Sequence, residues 1–345
     1  MHGLAASGGA EQSRLYFEQV MYTVRNAAPE QLVTFMNMYV RGLKDGVQVQ
    51  DSLEYAVLFQ QIDLLREILD RYEGNRFWEE WEKVYRFLLS VIEGKFTHEE
   101  VLEQSHLLKS GVYDQSLQLR LELVDVSAYT HLGDYHKVGS LLDYFSKHLD
   151  QLEPNFVKSA LKSRIELAEA RFLLFIARDF SGAEKRFSRV IMNNATPSAL
   201  IVASYRDRGL SLLNEALLEK SNKCLRCFEI AISRAKEFGL MREYERLTKE
   251  YYPLVQNLHG EQFDATDIVQ EEVAHQHIVR GEHKKALYLI EDLEARGKGG
   301  VFISFYKAKA LTNKELMSRV KQQFQEENLA YMLPIVEREI QALDN

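Results

Sequence analysis

Two cysteines, Cys224 and Cys227, are the first residues whose type and spacing could support chemistry. A pair with this spacing can act as a redox couple beside a βαβ unit, or as half of a zinc site. The redox reading lacks a neighbouring strand, and the zinc reading lacks two further ligands. The pair lies in an apolar helical pattern, 220–238, which favours buried, unreactive thiols.

Two histidines and a glycine-rich segment are further candidates for ligand chemistry. His275 and His277 stand two positions apart, and such positions on a helix point to different faces. A helical metal site would need histidines four apart, so we interpret both as ordinary polar positions. The segment 297–300 follows no strand and lacks the phosphate-binding spacing, so it predicts a connection between helices. We therefore expect no metal, no cofactor and no catalytic residue.

A stripe of polar residues along an apolar helix is more informative. After Pro197, four polar residues recur at spacings that place them on one helical face. They are Ser204, Asp207, Ser211 and Asn214. At this point two interpretations stand equally open. The stripe is either a solvated helix face or the polar lining of a binding groove.

Charged residues on the neighbouring helices extend this pattern. Arg164 and Arg171 share a face of the preceding long helix, and Glu271 or Glu272 falls early on a predicted helix, 264–279. In a superhelix of stacked helical hairpins, the first helix of each pair lines the concave surface. A lining of mixed charge suits a short peptide, whose termini and backbone need polar partners.

The elements that must position these residues are helices throughout. Apolar residues recur with helical spacing along most of the chain, which predicts about sixteen helices and no sheet. Similar turns recur at 132–135, 177–180 and 280–283, each followed by a small residue where two helices approach closely. The fold is therefore predicted to be all-α, a right-handed α-solenoid of tetratricopeptide-like helix-turn-helix repeats.

Composition narrows the class of partner. The chain has 345 residues, a net charge of −8 and a pI near 5.8. An acidic surface repels phosphate backbones, so a general nucleic-acid surface is not expected, and a cationic small partner is favoured. The sequence has no apolar run long enough to span a membrane and no secretory leader, and its two cysteines suit a reducing compartment. We expect a cytoplasmic protein without a membrane partner.

Several segments of the C-terminal third resemble the AimR family, the arbitrium peptide receptors of Bacillus-group phages. These segments run in the family's order and comprise 263–271, 280–283, 286–297, 305–311 and 332–337. The family belongs to the peptide-pheromone receptors with tetratricopeptide-like repeats. The resemblance implies a homodimeric regulator of a lysogeny-related transcript, whose activity a secreted peptide of about six residues abolishes.

The resemblance also implies positions for peptide contacts. The family's contacts map onto Arg171, Asp207, Glu272 (or Glu271) and Glu327, and Arg164, Ser204 and Asn214 join them from the polar stripes. Arg171 and Asp207 differ in type from the family's usual residues, so the cognate peptide should differ too. Acidic side chains at the mapped positions would suit a basic peptide residue through charge-assisted hydrogen bonds.

Three segments make up the expected domain organisation. Residues 1–14 are expected to be a disordered or non-native lead-in, 15–330 the repeat sensor and 331–345 a C-terminal helix. That helix is either a cap on the last repeat or a dimer seam, and the family favours the seam. Its apolar positions are Leu333, Val336, Ile340 and Leu343.

The N-terminal region leaves one functional alternative. The family begins with a helix-turn-helix domain, whereas the resemblance here begins within the repeats and the first sixty residues hold no basic cluster. DNA binding is therefore expected only if such a domain is restored. The alternative is a Rap-like protein that binds a response regulator or phosphotransfer protein, with 15–69 as an N-terminal three-helix bundle.

Overall fold

The computed structural model describes residues 16–43, 46 and 48–344, and within these ranges no strand occurs. The expected lead-in, 1–14, lies outside the described residues. The helices are α1 Phe17–Ala27, α2 Leu32–Gly42, α3 Val49–Leu58, α4 Ile62–Arg71, α5 Glu79–Ile92, α6 His98–Lys109, α7 Gln115–Leu132, α8 Tyr135–His148, α9 Phe156–Phe172, α10 Phe180–Met192, α11 Ser198–Glu219, α12 Lys223–Glu237, α13 Met241–Arg246, α14 Tyr252–Leu258, α15 Gln270–Val279, α16 His283–Ala295, α17 Val301–Leu311, α18 Lys314–Glu326 and α19 Leu333–Ala342. The predicted all-α repeat solenoid is confirmed.

Two π-helical turns interrupt long helices. Leu173–Ala177 extends α9, and Leu247–Tyr251 joins α13 to α14. Short 3₁₀ turns lie at Pro29–Gln31, Arg76–Trp78, Leu149–Gln151 and Ala330–Met332. The described residues contain more helical segments than the predicted sixteen. None of the helices in this part of the chain is long and apolar enough to cross a membrane.

Two of the three recurring turns are followed by helices that an aspartate caps. Asp134 and Asp179 begin α8 and α10, and their carboxylates accept hydrogen bonds from the first-turn amides of Lys137 and Gly182. Such caps satisfy backbone donors that have no partner within the helix. The prediction for 264–279 was partly wrong. The helix begins only at Gln270, because the Asp264 side chain instead accepts from the amide of Thr266 in a turn.

The small residues after these turns allow close helix packing. Ala183 and Ala286 are fully buried. Gly209 on α11 lies closer still to its neighbour, because a Cβ atom there would come within 2.5 Å of the Phe228 ring on α12. The pairing of α11 with α12 therefore depends on the absence of a side chain at Gly209.

The buried apolar residues form two cores that meet on α9. The first core takes α9 residues up to Ile165, and the second begins at Leu167. The N-terminal helices belong to the first core, since the rings of Phe17 and Phe156 lie 4.8 Å apart. The region 16–71 is thus packed into the solenoid through α9.

The C-terminal helix α19 closes the second core. Leu333 and Val336 are buried among the chain's own apolar residues, whereas Ile340 and Leu343 are half-buried. The first two residues therefore pack within the chain's own core. Only the last two retain exposed apolar surface for another chain.

Candidate functional site

A cavity of about 560 Å³ opens where the two cores meet. Its walls come from α7, α8, α9, the following π-helical turn and the segment 327–329. Apolar side chains such as Leu167, Phe172 and Phe175 cover much of the wall. A concave, mostly apolar cavity with a few charged groups is the usual form of a ligand site.

Three of the predicted charged residues line this one cavity. They are Arg164 and Arg171 on α9 and Glu327 just after α18. The Glu327 side chain is exposed and pairs with no other residue that the structure describes. Since Arg164 and Glu327 come from distant parts of the chain, the fold places basic and acidic groups around the same space.

A second cavity of about 790 Å³ continues the first. The two share five lining residues, which are Arg120, Leu123, Ser127, Arg164 and Leu200. The second cavity extends to α2, α3 and the start of α11, where Ala199 lies. Because they share these residues, the two cavities form one groove, which we call the junction groove.

Two arginines in the floor of the junction groove face one fully buried carboxylate. Nε of Arg120 lies 3.2 Å from Glu54, and Nε of Arg164 lies 3.5 Å from the other oxygen of the same carboxylate. The Tyr85 hydroxyl donates to Glu54 over 2.6 Å. Burial, and secondarily the charge of Arg120, lowers the pKa of Arg164 to about 10. Arg164 nevertheless stays cationic at neutral pH.

Arg120 and Glu54 were missed by the sequence analysis. Glu54 is fully buried and Arg120 is 5% exposed, although both are charged residues. A charged residue on a buried helix face needs a partner. The single charge of Glu54 among the apolar residues of 53–58 was the available signal.

The polar stripe of α11 is buried rather than solvated. Ser204 and Asp207 are fully buried, and Ser211 and Asn214 are nearly so. The interpretation as a solvated helix face is therefore wrong. These residues pack behind the groove, where Asn214 donates to the backbone carbonyl of Tyr331 over 2.9 Å.

Asp207 connects this buried layer to the groove wall. Its carboxylate lies 3.2 Å from Nε of Arg171 and 2.7 Å from Nε of Arg206. Arg171 is 41% exposed, so it can reach a ligand while Asp207 holds its position. Asp207 itself is 1% exposed and holds both guanidinium groups by ion pairs.

Glu272 lies apart from the residues that line the groove. Its carboxylate accepts from Tyr306 over 2.6 Å and from Asn257 over 2.9 Å. Burial and then Glu272 raise the pKa of Tyr306 well above its ordinary value. Glu271 is half-buried beside it. The structure thus places Glu272 in a satisfied internal network, separate from Glu327.

The histidines and cysteines differ in how well they were predicted. His275 is fully buried and stacks on Tyr306, so its interpretation as an ordinary polar position is wrong. Cys224 lies 3.0 Å from the ring of His259, and burial raises the pKa of its thiol to about 12. The expectation of buried, unreactive thiols agrees with this geometry. No cluster of three or more potential metal ligands occurs among the described residues.

Solved structures of other proteins share this architecture. A family model described as AimR transcriptional regulator-like matches residues 33–342. A solved structure of selenomethionine phAimR aligns with a TM-score of 0.79 at 16% identity, covering 97% of this chain and 89% of that one. A phAimR structure with ligand aligns at 0.70 and 17% identity, covering 96% and 98%. Curated proteins gave no match.

Proposed function

The chain belongs to the AimR transcriptional regulator-like family, and from this premise we propose that it is a cytoplasmic receptor for a short secreted peptide. The junction groove is the observation that carries the proposal, because it is concave, apolar in its walls and charged at separate points. A peptide needs such a surface to cover its side chains and to satisfy its termini. One of the aligned phAimR structures also holds a ligand.

Regulation would follow from the position of the groove between the two cores. A peptide in the groove contacts residues of both cores at once, such as Leu123 and Leu167. Binding would favour the arrangement of the two halves that allows all these contacts, which is a shift in population. In a regulator of the lysis-lysogeny type, this shift would change the activity on transcription.

We propose that this chain, with or without bound peptide, pairs with a second copy of the same chain. Ile340 on α19 and Leu343 just after it are half-buried, and both present apolar surface that another chain could cover. Sedimentation of the wild type and of Leu343→Glu tests this. We expect a dimer that the substitution converts to monomers, and a monomeric wild type would contradict it.

Affinity selection from a hexapeptide library, followed by calorimetry on the retained peptides, tests the receptor function. We expect the wild type to retain a small set of peptides, enriched in Lys or Arg because Glu327 is unpaired. Arg171→Ala should weaken their binding about tenfold, roughly 1.4 kcal/mol. Arg296→Ala is the matched control, since Arg296 is 66% exposed and lies outside the groove. A wild type that retains no peptide would contradict the proposal.

A further inference from the structure

The charges in the floor of the junction groove do not balance. Arg120 and Arg164 both face Glu54, which is the one carboxylate within ion-pair distance of either among the described residues. Tyr85 adds no negative charge, because burial and the nearby Glu54 raise its pKa well above the ordinary value. Two positive charges therefore face one negative charge, with Arg120 buried and Arg164 partly exposed.

The hydrogen bonds of this pair are also incomplete. Each guanidinium offers a planar fork of N–H donors. Neither arginine donates a hydrogen bond to any residue within the described ranges, and both buried Nε atoms face Glu54 at ion-pair distance without a hydrogen bond. Buried donors without acceptors are costly. The geometry thus provides both an excess charge and free donors at the same place.

From these two observations we infer that Arg120 and Arg164 together bind the C-terminal carboxylate of the peptide, an inference that rests on the proposed function. Both arginines line both halves of the groove, so a group between them lies at its centre. A carboxylate matches the guanidinium fork and neutralises the excess charge, whereas a peptide carbonyl can only accept hydrogen bonds. Every unmodified peptide carries such a group, whatever its sequence.

The position of Glu327 sets the direction of the bound peptide. Glu327 lines the part of the groove formed by α8 and α9, and Arg164 lines the same part near its centre. The C-terminus lies at the arginine pair, and a basic side chain or the N-terminal amine points toward Glu327. This orientation places opposite charges together at both points.

Two hexapeptide libraries that differ only at the C-terminus test the inference. One ends in the free acid and the other in the primary amide, and each is made with and without Asp and Glu. We expect the wild type to retain the acid library at least tenfold better than the amide library, even when acidic side chains are omitted. Arg164→Gln should lower retention of the acid library to that of the amide library. Its effect on retention of the amide library should be smaller, because a primary amide lacks the negative charge that Arg164 is inferred to bind.

The controls separate this inference from the proposed function. Arg164 is 25% exposed. If circular dichroism shows that Arg164→Gln loses structure, Arg164→Lys serves instead. This variant keeps the charge and should restore part of the preference for the acid library. Equal retention of acid and amide libraries by the wild type would overturn the inference and leave the receptor function standing. Retention that depends on Asp or Glu instead would assign the arginines to a side chain and also overturn it. Retention of neither library would overturn both proposals.

Discussion

The side-chain amide of Asn328 donates a 3.0 Å hydrogen bond to the hydroxyl of Tyr135, which lies 193 positions earlier in the chain. Tyr135 begins α8, which packs in the first core, and Asn328 precedes Leu329 of the second. Both residues line the junction groove. The bond therefore ties the two halves of the solenoid together at the site proposed for the peptide.

Tyr135→Phe should loosen this tie without unfolding the protein. A single partly exposed hydrogen bond contributes about 1 kcal/mol, so the denaturation midpoint should change little. Amide hydrogen exchange in 326–330 should become faster. Tyr288→Phe is the control, because the Tyr288 side chain is exposed and distant from the groove. Unchanged exchange in Tyr135→Phe would show that other contacts hold the segment.

Asp207 and Arg171 should respond very differently to truncation, although they pair with each other. Asp207→Ala leaves Arg206 buried without its closest carboxylate, and breaking a buried ion pair costs about 3–5 kcal/mol. Arg171→Ala leaves Asp207 paired with Arg206, so the loss should stay near 1 kcal/mol or below. Urea denaturation followed by circular dichroism measures both. Equal losses would contradict a structural role for Asp207.

The helical architecture was predictable because it follows from local signals. The capping aspartates Asp134 and Asp179 and the small residues after them stand at the repeated turns, and apolar spacing marks most helices. The groove depends on contacts distant in sequence. Arg164 meets Glu54 from 110 positions away, and no local pattern specifies that pairing.

Burial explains why the functional residues were predicted less well than the fold. The spacing of Ser204 and Asp207 showed that they share a face, but spacing does not tell whether water or protein covers it. Glu272 has the charge expected of a peptide contact, yet Tyr306 and Asn257 occupy its carboxylate. Arg120 and Glu54 could be recognised as part of a site only from the structure, in which Arg120 lines both cavities and pairs with Glu54.

The two cysteines should resist alkylation in the folded protein. With a pKa near 12, the thiolate fraction of Cys224 at pH 8 is about 10⁻⁴, far below that of a free cysteine. Burial also raises the pKa of Cys227. Iodoacetamide labelling, read by mass spectrometry, should be at least about a hundredfold slower in buffer than in denaturant. Fast labelling of either cysteine would show that its surroundings open readily.

Asp51 should make the protein less stable as pH rises from about 4 to 6. Burial raises the pKa of this carboxyl to about 6 in the folded chain, well above its unfolded value of 3.8. The folded state therefore binds more protons in that range, and the free energy of unfolding falls with rising pH until the folded pKa is passed.

Asp51→Asn removes this contribution. The free energy of unfolding of the variant, minus that of the wild type, should therefore increase by about 1 kcal/mol or more as pH rises from 4.5 to 7.5. Urea denaturation at several pH values measures the difference. Asp150→Asn is the control, because Asp150 is exposed and its difference should stay flat. A flat difference for Asp51→Asn as well would place its folded pKa near the unfolded value.

Gly209 and Gly139 offer a matched pair of substitutions with opposite expected signs. Both lie inside helices, where replacing glycine by alanine favours the helix by about 1 kcal/mol. At Gly139 the new Cβ atom would lie 3.5 Å from the Phe172 ring, an ordinary contact, so Gly139→Ala should stabilise the protein. At Gly209 it would lie 2.5 Å from the Phe228 ring, which is fully buried.

Gly209→Ala must therefore shift α11 against α12 or force Phe228 off its rotamer. Overpacking of this kind costs about 1–3 kcal/mol, which exceeds the helix gain and gives a net loss. Thermal denaturation should show a higher midpoint for Gly139→Ala and a lower one for Gly209→Ala. Adding Phe228→Leu to Gly209→Ala should recover part of the loss, since it removes the ring atoms that the new methyl group meets. A stable Gly209→Ala protein would mean that α11 and α12 can separate freely, and the close approach between them would not be needed for the fold.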